Sequence, residues 1–81
     1  MSKVQAWVDE FLTDCILPTT SSKEVIQNKQ VYKWYQEWSA HAGLPILTDN
    51  AFGRCLARRL HRTRRNGKVF YYCRLNPKVT D

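Results

Sequence analysis

The dipeptide Asn66-Gly67 constrains the fold of this chain more than any other short stretch. Both residue types accept the positive φ angles of a type I′ turn, the tight turn that joins two antiparallel strands. Alternating sequence flanks the pair, with HRTRR before it and KVFYYCRL after it, and alternation is typical of strands with one buried face. We therefore predict a β-hairpin over residues 62–76.

The second arm of the hairpin offers two faces for burial. One face carries Val69, Tyr71, Cys73 and Leu75, and the other carries Phe70, Tyr72 and Arg74. Because successive residues of a strand point to opposite faces, only one set can enter the core. We predict that the first set is buried, since it ends in leucine and the second ends in arginine.

The N-terminal part of the chain has the apolar periodicity of an amphipathic helix over residues 1–16. Its apolar positions are Val4, Val8, Phe11, Leu12 and Cys15. Ser2 is a candidate N-cap, with Gln5 three residues later in the position of a capping box. Pro18 ends this helix, and the Ser/Thr-rich residues after it predict a loop.

Two further helices are predicted within residues 28–61. Asn28 is a candidate cap for the first of them, and Gly43 ends it in the left-handed conformation. Thr48 is the candidate cap of the second, which runs to about His61. The core side of that second helix carries Phe52, Cys55, Leu56 and Leu60. Between the helices, LPILT predicts a short apolar connection or a small strand.

The helix before Gly43 has an aromatic stripe along one face. The residues at this spacing are Val31, Trp34, Tyr35, Trp38 and Ala42. Such a stripe is more typical of a core face than of a base-stacking surface. Tyr32 and Trp34, on its flank, are the aromatic residues that could be exposed.

Positive charge is concentrated in the last part of the chain. Residues 1–49 hold four basic and six acidic side chains, whereas residues 50–80 hold nine basic and none acidic. A basic helix face or loop tip can be a plain solvated surface. The absence of balancing acids instead favours an anionic partner for this part of the chain.

Three helices followed by a basic hairpin predict an α+β fold, a winged helix-turn-helix that spans residues 1–81 as one domain. In this fold the third helix enters the major groove of DNA, and the hairpin, or wing, follows phosphates or the minor groove. The candidate DNA-binding residues are Asn50, Arg54, Arg58 and His61 on the third helix, and Arg62, Arg64, Arg65 and Lys68 on the hairpin. For His61, a solvated helix-end residue is an equal alternative.

Other chemistries find no support in the sequence. It has no G-x-x-x-x-G-K loop and no paired carboxylates in the basic part, so we expect no enzyme activity, no catalytic residue and no cofactor. Cys15, Cys55 and Cys73 show no zinc spacing relative to the two histidines, so we expect reduced cysteines and no metal. Neither a signal peptide nor a membrane-spanning stretch is evident, so we expect a cytoplasmic protein without membrane contact.

The segment VYKWYQEWSAHAGLPILTDNAFGRCLARRL, together with the basic hairpin and YYCRL, resembles a known family. It is similar to the C-terminal winged-helix domain of phage- and plasmid-type primase-helicases, which are related to the poxvirus primase-helicase. The matching positions are Tyr32, Tyr35, Trp38, Gly43, Phe52, Gly53, Leu56, Tyr71, Tyr72 and Leu75. The resemblance implies a module for origin or template recognition. No ATPase or primase motif occurs in this chain, so those activities are not implied.

Three functions therefore remain open at the level of sequence. The first is a DNA-binding module for mobile-element replication, with duplex or forked DNA as its ligand and a replication protein as a further partner. The second is a free-standing small phage or plasmid regulator, such as an excisionase or a repressor. The third is a protein-docking winged helix whose exposed aromatic residues contact a partner.

Overall fold

The computed structural model describes residues 3–21 and 23–77. Within these ranges the chain forms three helices and a four-stranded antiparallel sheet, which confirms the predicted α+β class. The elements in chain order are α1 (Lys3–Cys15), β1 (Ile16–Pro18), β2 (Val25–Gln27), α2 (Asn28–Ala42), α3 (Asp49–Ala57), β3 (Arg62–Arg65) and β4 (Lys68–Leu75). The predicted Ser2 cap lies outside the described residues.

Strand β4 is the centre of the sheet, and each of the other strands pairs with it. β2 lies along one edge of β4, and β1 lies along the other. The backbone of Tyr72 donates to the His61 carbonyl and accepts from the Thr19 amide. Because both backbone groups of one strand residue face the same edge, β3 and β1 share an edge of β4.

The predicted hairpin is confirmed. β3 and β4 are antiparallel neighbours, with Arg65 opposite Lys68 on either side of the turn. Asn66 has a φ of 52° and Gly67 a φ of 76°, so both turn residues have the positive angles of a type I′ turn.

The core lies between the helices and one face of the sheet. Tyr71 and Cys73 are buried, and Val69 and Leu75 pack against the core, which confirms the predicted face of β4. The helices contribute fully buried side chains, namely Val8, Phe11, Val31, Tyr35, Phe52 and Leu56. The ring of Phe52 stacks on that of Tyr35, with centroids 4.3 Å apart.

The aromatic face of α2 is a core face, as predicted, but only in part. Tyr35 is fully buried, whereas Trp34 and Trp38 are half-buried and Ala42 is exposed. Trp34 lies at the edge of the stripe, about 60° from Val31 around the helix, and Ala42 is the last residue of α2.

Tyrosine hydroxyls on α2 hold the connection between α2 and α3. Tyr32 donates to the Leu47 carbonyl at 2.8 Å, and the Tyr35 hydroxyl accepts from the Leu47 amide at 3.3 Å. At the start of this connection Gly43 adopts the predicted left-handed conformation, with a φ of 70°. At its end Thr48 caps α3 by accepting the Ala51 amide. These contacts fix α3 relative to α2.

Several predicted boundaries are wrong. The third helix ends at Ala57 rather than near His61, because the chain tightens into a turn in which the Arg58 amide donates to the Cys55 carbonyl. Asn28 is the first helical residue of α2 and not its cap, since Gln27 occupies that position without a side-chain hydrogen bond. The LPILT connection forms no strand. Strands form instead at Ile16–Pro18, where a helix end and a loop were predicted, and at Val25–Gln27.

The three cysteines are free and buried, as predicted. Burial raises the pKa of the Cys73 thiol to about 11. No group of three or more metal-ligating side chains occurs among residues 3–21 and 23–77. In the same part of the chain, no helix is long and apolar enough to cross a membrane.

Candidate nucleic-acid interface

A groove of about 600 Å³ lies between α3 and the hairpin. Its lining consists of Asn28, Asp49, Asn50, Gly53, Arg54, Ala57, Arg58, Arg62, Val69 and Tyr71. Four of the eight predicted DNA-binding residues, Asn50, Arg54, Arg58 and Arg62, therefore meet in one place. All four are exposed, so their polar ends are available to a ligand.

The α3 side of the groove presents Asn50, Arg54 and Arg58 at intervals of four residues. At 100° per residue, this spacing places them within about 80° of one another around the helix. They project on the side opposite the buried residues Phe52 and Leu56. Helix α3 thus divides into a core face and a polar, basic face, as the sequence predicted.

The floor of the groove is Tyr71, whose side chain reaches from β4 towards α3. Tyr71 is 1% exposed. A Cβ atom added at Gly53 would lie 3.8 Å from the Tyr71 hydroxyl oxygen, so that oxygen lies against the backbone of α3. Gly53 therefore keeps space open above the tyrosine.

Arg62 and Tyr71 are directly opposite each other on β3 and β4, and they share the face of the sheet towards α3. Burial raises the pKa of Tyr71, and the charge of Arg62 opposes that rise. The positive charge of Arg62 is therefore felt at the Tyr71 hydroxyl, on the floor of the groove.

An acidic residue lies at the N-terminal end of α3. Asn28 donates from Nδ2 to Oδ1 of Asp49 at 3.2 Å, which links the starts of α2 and α3 across the groove. The groove is therefore not uniformly basic. Sequence reasoning placed Asn28 at a helix cap and Tyr71 in the core, and it missed both as groove residues.

The remaining hairpin cations lie outside this groove and divide between two faces. Arg64 points to the same face as the groove residue Arg62, which is the face that also carries Val69 and Tyr71. Arg65 and Lys68, opposite each other next to the turn, lie on the other face. All of them are exposed, so the tip of the hairpin is a basic surface in its own right.

His61 does not lie on α3 as predicted. It follows the turn that ends the helix, and its carbonyl accepts the Tyr72 amide at 2.9 Å. The alternation of the strand places it on the face opposite to that of Arg62. His61 is exposed but is separate from the row of Asn50, Arg54 and Arg58.

Arg59 is a basic residue near the groove that is already paired. Its Nε and Nη2 atoms donate to the two carboxylate oxygens of Asp9, each at 2.9 Å. The hydrogen bond from Arg59 holds the pKa of Asp9 below its usual range. Arg59 thus ties the end of α3 to α1 and is not a candidate ligand for DNA.

Replacing Gly53 by alanine is expected to stabilise the fold. Glycine inside a helix costs up to about 1 kcal/mol relative to alanine, and 3.8 Å is an ordinary van der Waals contact for the new methyl group. The melting temperature should rise by about 4–8 °C for each kcal/mol gained in a domain of this size.

The same change at Gly67 is the matched control. Gly67 has a φ of 76°, and alanine in the left-handed region costs roughly 1–2 kcal/mol. Gly67→Ala should therefore lower the melting temperature. If Gly53→Ala also lowers it, α3 and Tyr71 pack too tightly for a side chain at position 53.

Comparison with known proteins finds no matching family model, no matching curated protein and no matching solved structure.

Proposed function

We propose that the chain is a winged helix-turn-helix module that binds duplex DNA. The observation that carries the proposal is the groove in which Asn50 and Arg54 of α3, with Arg58 at its C-cap, meet Arg62 of β3. Duplex recognition needs cations for phosphates together with side chains that can hydrogen-bond base edges. The groove offers both at once.

In this proposal α3 lies in the major groove. An α-helix with its side chains is about 10–12 Å in diameter, which suits a groove about 12 Å wide. Asparagine is suited to adenine and arginine to guanine, because each can form two hydrogen bonds to the exposed edge of that base. Asn50 and Arg54 are therefore the proposed base-reading residues.

The hairpin then lies along the sugar–phosphate backbone. Arg62 lies opposite Tyr71 at the base of the hairpin, whereas Arg64, Arg65 and Lys68 lie near its tip and are exposed. Side chains of this type position a protein on DNA without reading its sequence. The resemblance to primase-helicase winged helices supports origin or template recognition as the context, and a small regulator is the alternative context. We propose no catalytic role.

A second candidate function is protein docking. A second groove, of about 410 Å³, is lined by Cys15, Trp34, Glu37, Trp38, His41 and Leu75. Half-buried tryptophans are common anchors at protein interfaces. This surface lies on α2 and the end of β4, away from the row of basic residues on α3.

Titration of labelled duplex, forked and single-stranded DNA at two salt concentrations tests the proposal, with random-sequence duplex as the comparison. We expect binding to duplex DNA. The logarithm of the binding constant should fall linearly with the logarithm of the salt concentration, with a slope of about 0.9 for each phosphate contact. Salt-independent binding, or no binding to any duplex at low salt, would contradict the proposal. Affinity for a partner protein that persists at high salt would favour the docking function.

A further inference from the structure

The outer face of the sheet carries two aromatic residues that the core does not use. Phe70 and Tyr72 alternate with the buried Tyr71 and Cys73, so they project from the opposite face of β4. Both are half-buried, and neither belongs to the core cluster or to the side chains packed against it.

No Phe, Tyr or Trp is paired with these two residues in the sheet, although His61 lies beside Tyr72 just before the start of β3. Phe70 lies opposite Gln27 on one side and Thr63 on the other, and Tyr72 lies opposite Val25. Phe70 and Tyr72 are two residues apart along an extended strand, so their rings are about 7 Å from each other. The face thus presents two rings in a row, separated by a spacing that successive unstacked nucleotides can match.

Cations border the rings at both ends. Lys68 and Arg74 lie on the same face of β4 as the two rings, and Arg65 lies opposite Lys68. All three are exposed. The described strand positions on this face carry no Asp or Glu, so its electrostatic potential suits a polyanion.

We propose that this outer face, defined by Phe70, Tyr72, Arg65, Lys68 and Arg74, binds single-stranded nucleic acid. Bases stack on the two rings, and the three cations contact the phosphates. Stacking on aromatic side chains requires bases that are free of a duplex, so the site selects single strands by chemistry rather than by sequence. It is distinct from the groove of α3, which lies on the other face of the hairpin.

The groove of α3 and the outer face of the sheet together suit a junction between duplex and single-stranded nucleic acid. If the proposed duplex function holds, the hairpin separates a duplex on the α3 side from a single strand on the outer side. The single-strand site shares Arg65 and Lys68 with the duplex contacts proposed at the tip of the hairpin, but its two rings lie outside the groove. A preference for bases therefore tests this site independently of the duplex function.

The test compares two labelled probes of equal length and charge, an oligothymidylate and a chain of abasic sites. The unmodified protein should bind the oligothymidylate more tightly, by about 10-fold or more for each base stacked on a ring. Phe70→Leu with Tyr72→Leu should remove this preference, since leucine retains apolar packing but offers no π face. Affinity for the abasic chain should change little.

Trp34→Leu is the matched control, because it removes a half-buried aromatic residue from α2 and leaves the outer face intact. It should keep the preference for bases. The thermal melt of each variant, followed by circular dichroism, verifies that it is folded at the temperature of the assay. Equal affinity of the unmodified protein for both probes would overturn the proposal. Contact with a protein partner would then be the better explanation for the outer face. A preference unchanged in a folded double variant would also overturn it.

Discussion

Replacing Phe52 by alanine is expected to remove about 3–5 kcal/mol from the free energy of unfolding. Phe52 is fully buried, stacks on Tyr35 and also contacts the rings of Phe11 and Tyr32. Its loss leaves a cavity where α1, α2 and α3 meet. Domains are stable by only about 5–15 kcal/mol, so the variant should be largely unfolded well below the melting temperature of the unmodified protein. Urea denaturation followed by circular dichroism measures the change.

Ile46→Ala is the control for this variant. Ile46 is 49% exposed in the connection between α2 and α3, and surface changes of this kind usually fall within about 0.5 kcal/mol. Trp38→Ala should lie between the two, because Trp38 is only half-buried, with its ring edge-on to that of Phe11 and the centroids 5.7 Å apart. A Phe52→Ala variant that melts normally but loses DNA binding would mean that the faces of α3 are reversed.

Two sets of substitutions should separate the groove from the tip of the hairpin. Replacing Arg64, Arg65 and Lys68 together by alanine should weaken binding to all sequences alike and flatten the slope of log affinity against log salt by about 2–3. Replacing Asn50 or Arg54 should instead reduce the difference in binding free energy between a preferred site and random DNA. The expected reduction is about 1–3 kcal/mol for each base that the variant no longer contacts. Fluorescence anisotropy at several salt concentrations gives both quantities.

Arg59→Gln serves as the control for the loss of a single positive charge. It removes one positive charge close to the groove, but the guanidinium that it removes is engaged by Asp9. Its effect on the salt slope should therefore be small. If both sets of substitutions change the slope and neither changes sequence preference, the surface is a nonspecific electrostatic clamp. If neither set matters, the basic residues form a solvated surface and protein docking becomes the better account.

The parts of the fold that sequence predicted well are those set by local chemistry. The Asn66-Gly67 turn, the Gly43 helix end and the Thr48 cap each depend on residues within a few positions of one another. The end of α3 was predicted wrongly because no local sequence signal marks it. Arg58 and Arg59 are good helix formers, and no glycine or proline marks the stop at Ala57.

The parts that were missed depend on contacts distant in sequence. β1 and β2 have three residues each and exist because β4 pairs with them, with Pro18 opposite Cys73 and Val25 opposite Tyr72. Their residues alone carry too short a pattern to indicate strands. In the same way, nothing near Tyr71 in sequence indicates that its hydroxyl reaches Gly53 and Arg62. The basic row on α3 was predictable, whereas the floor of the groove was not.

The most direct measurement of the central proposal is a two-dimensional ¹⁵N–¹H NMR titration of the protein with duplex DNA. The account predicts that the largest shift changes occur at the amides of residues 50–58 and 62–68, which cover most of α3 with its C-cap and the tip of the hairpin. Changes along α1 should be small. Changes centred on Trp34, Trp38 and His41, or no changes at all at low salt, would contradict duplex binding by the groove between α3 and the hairpin.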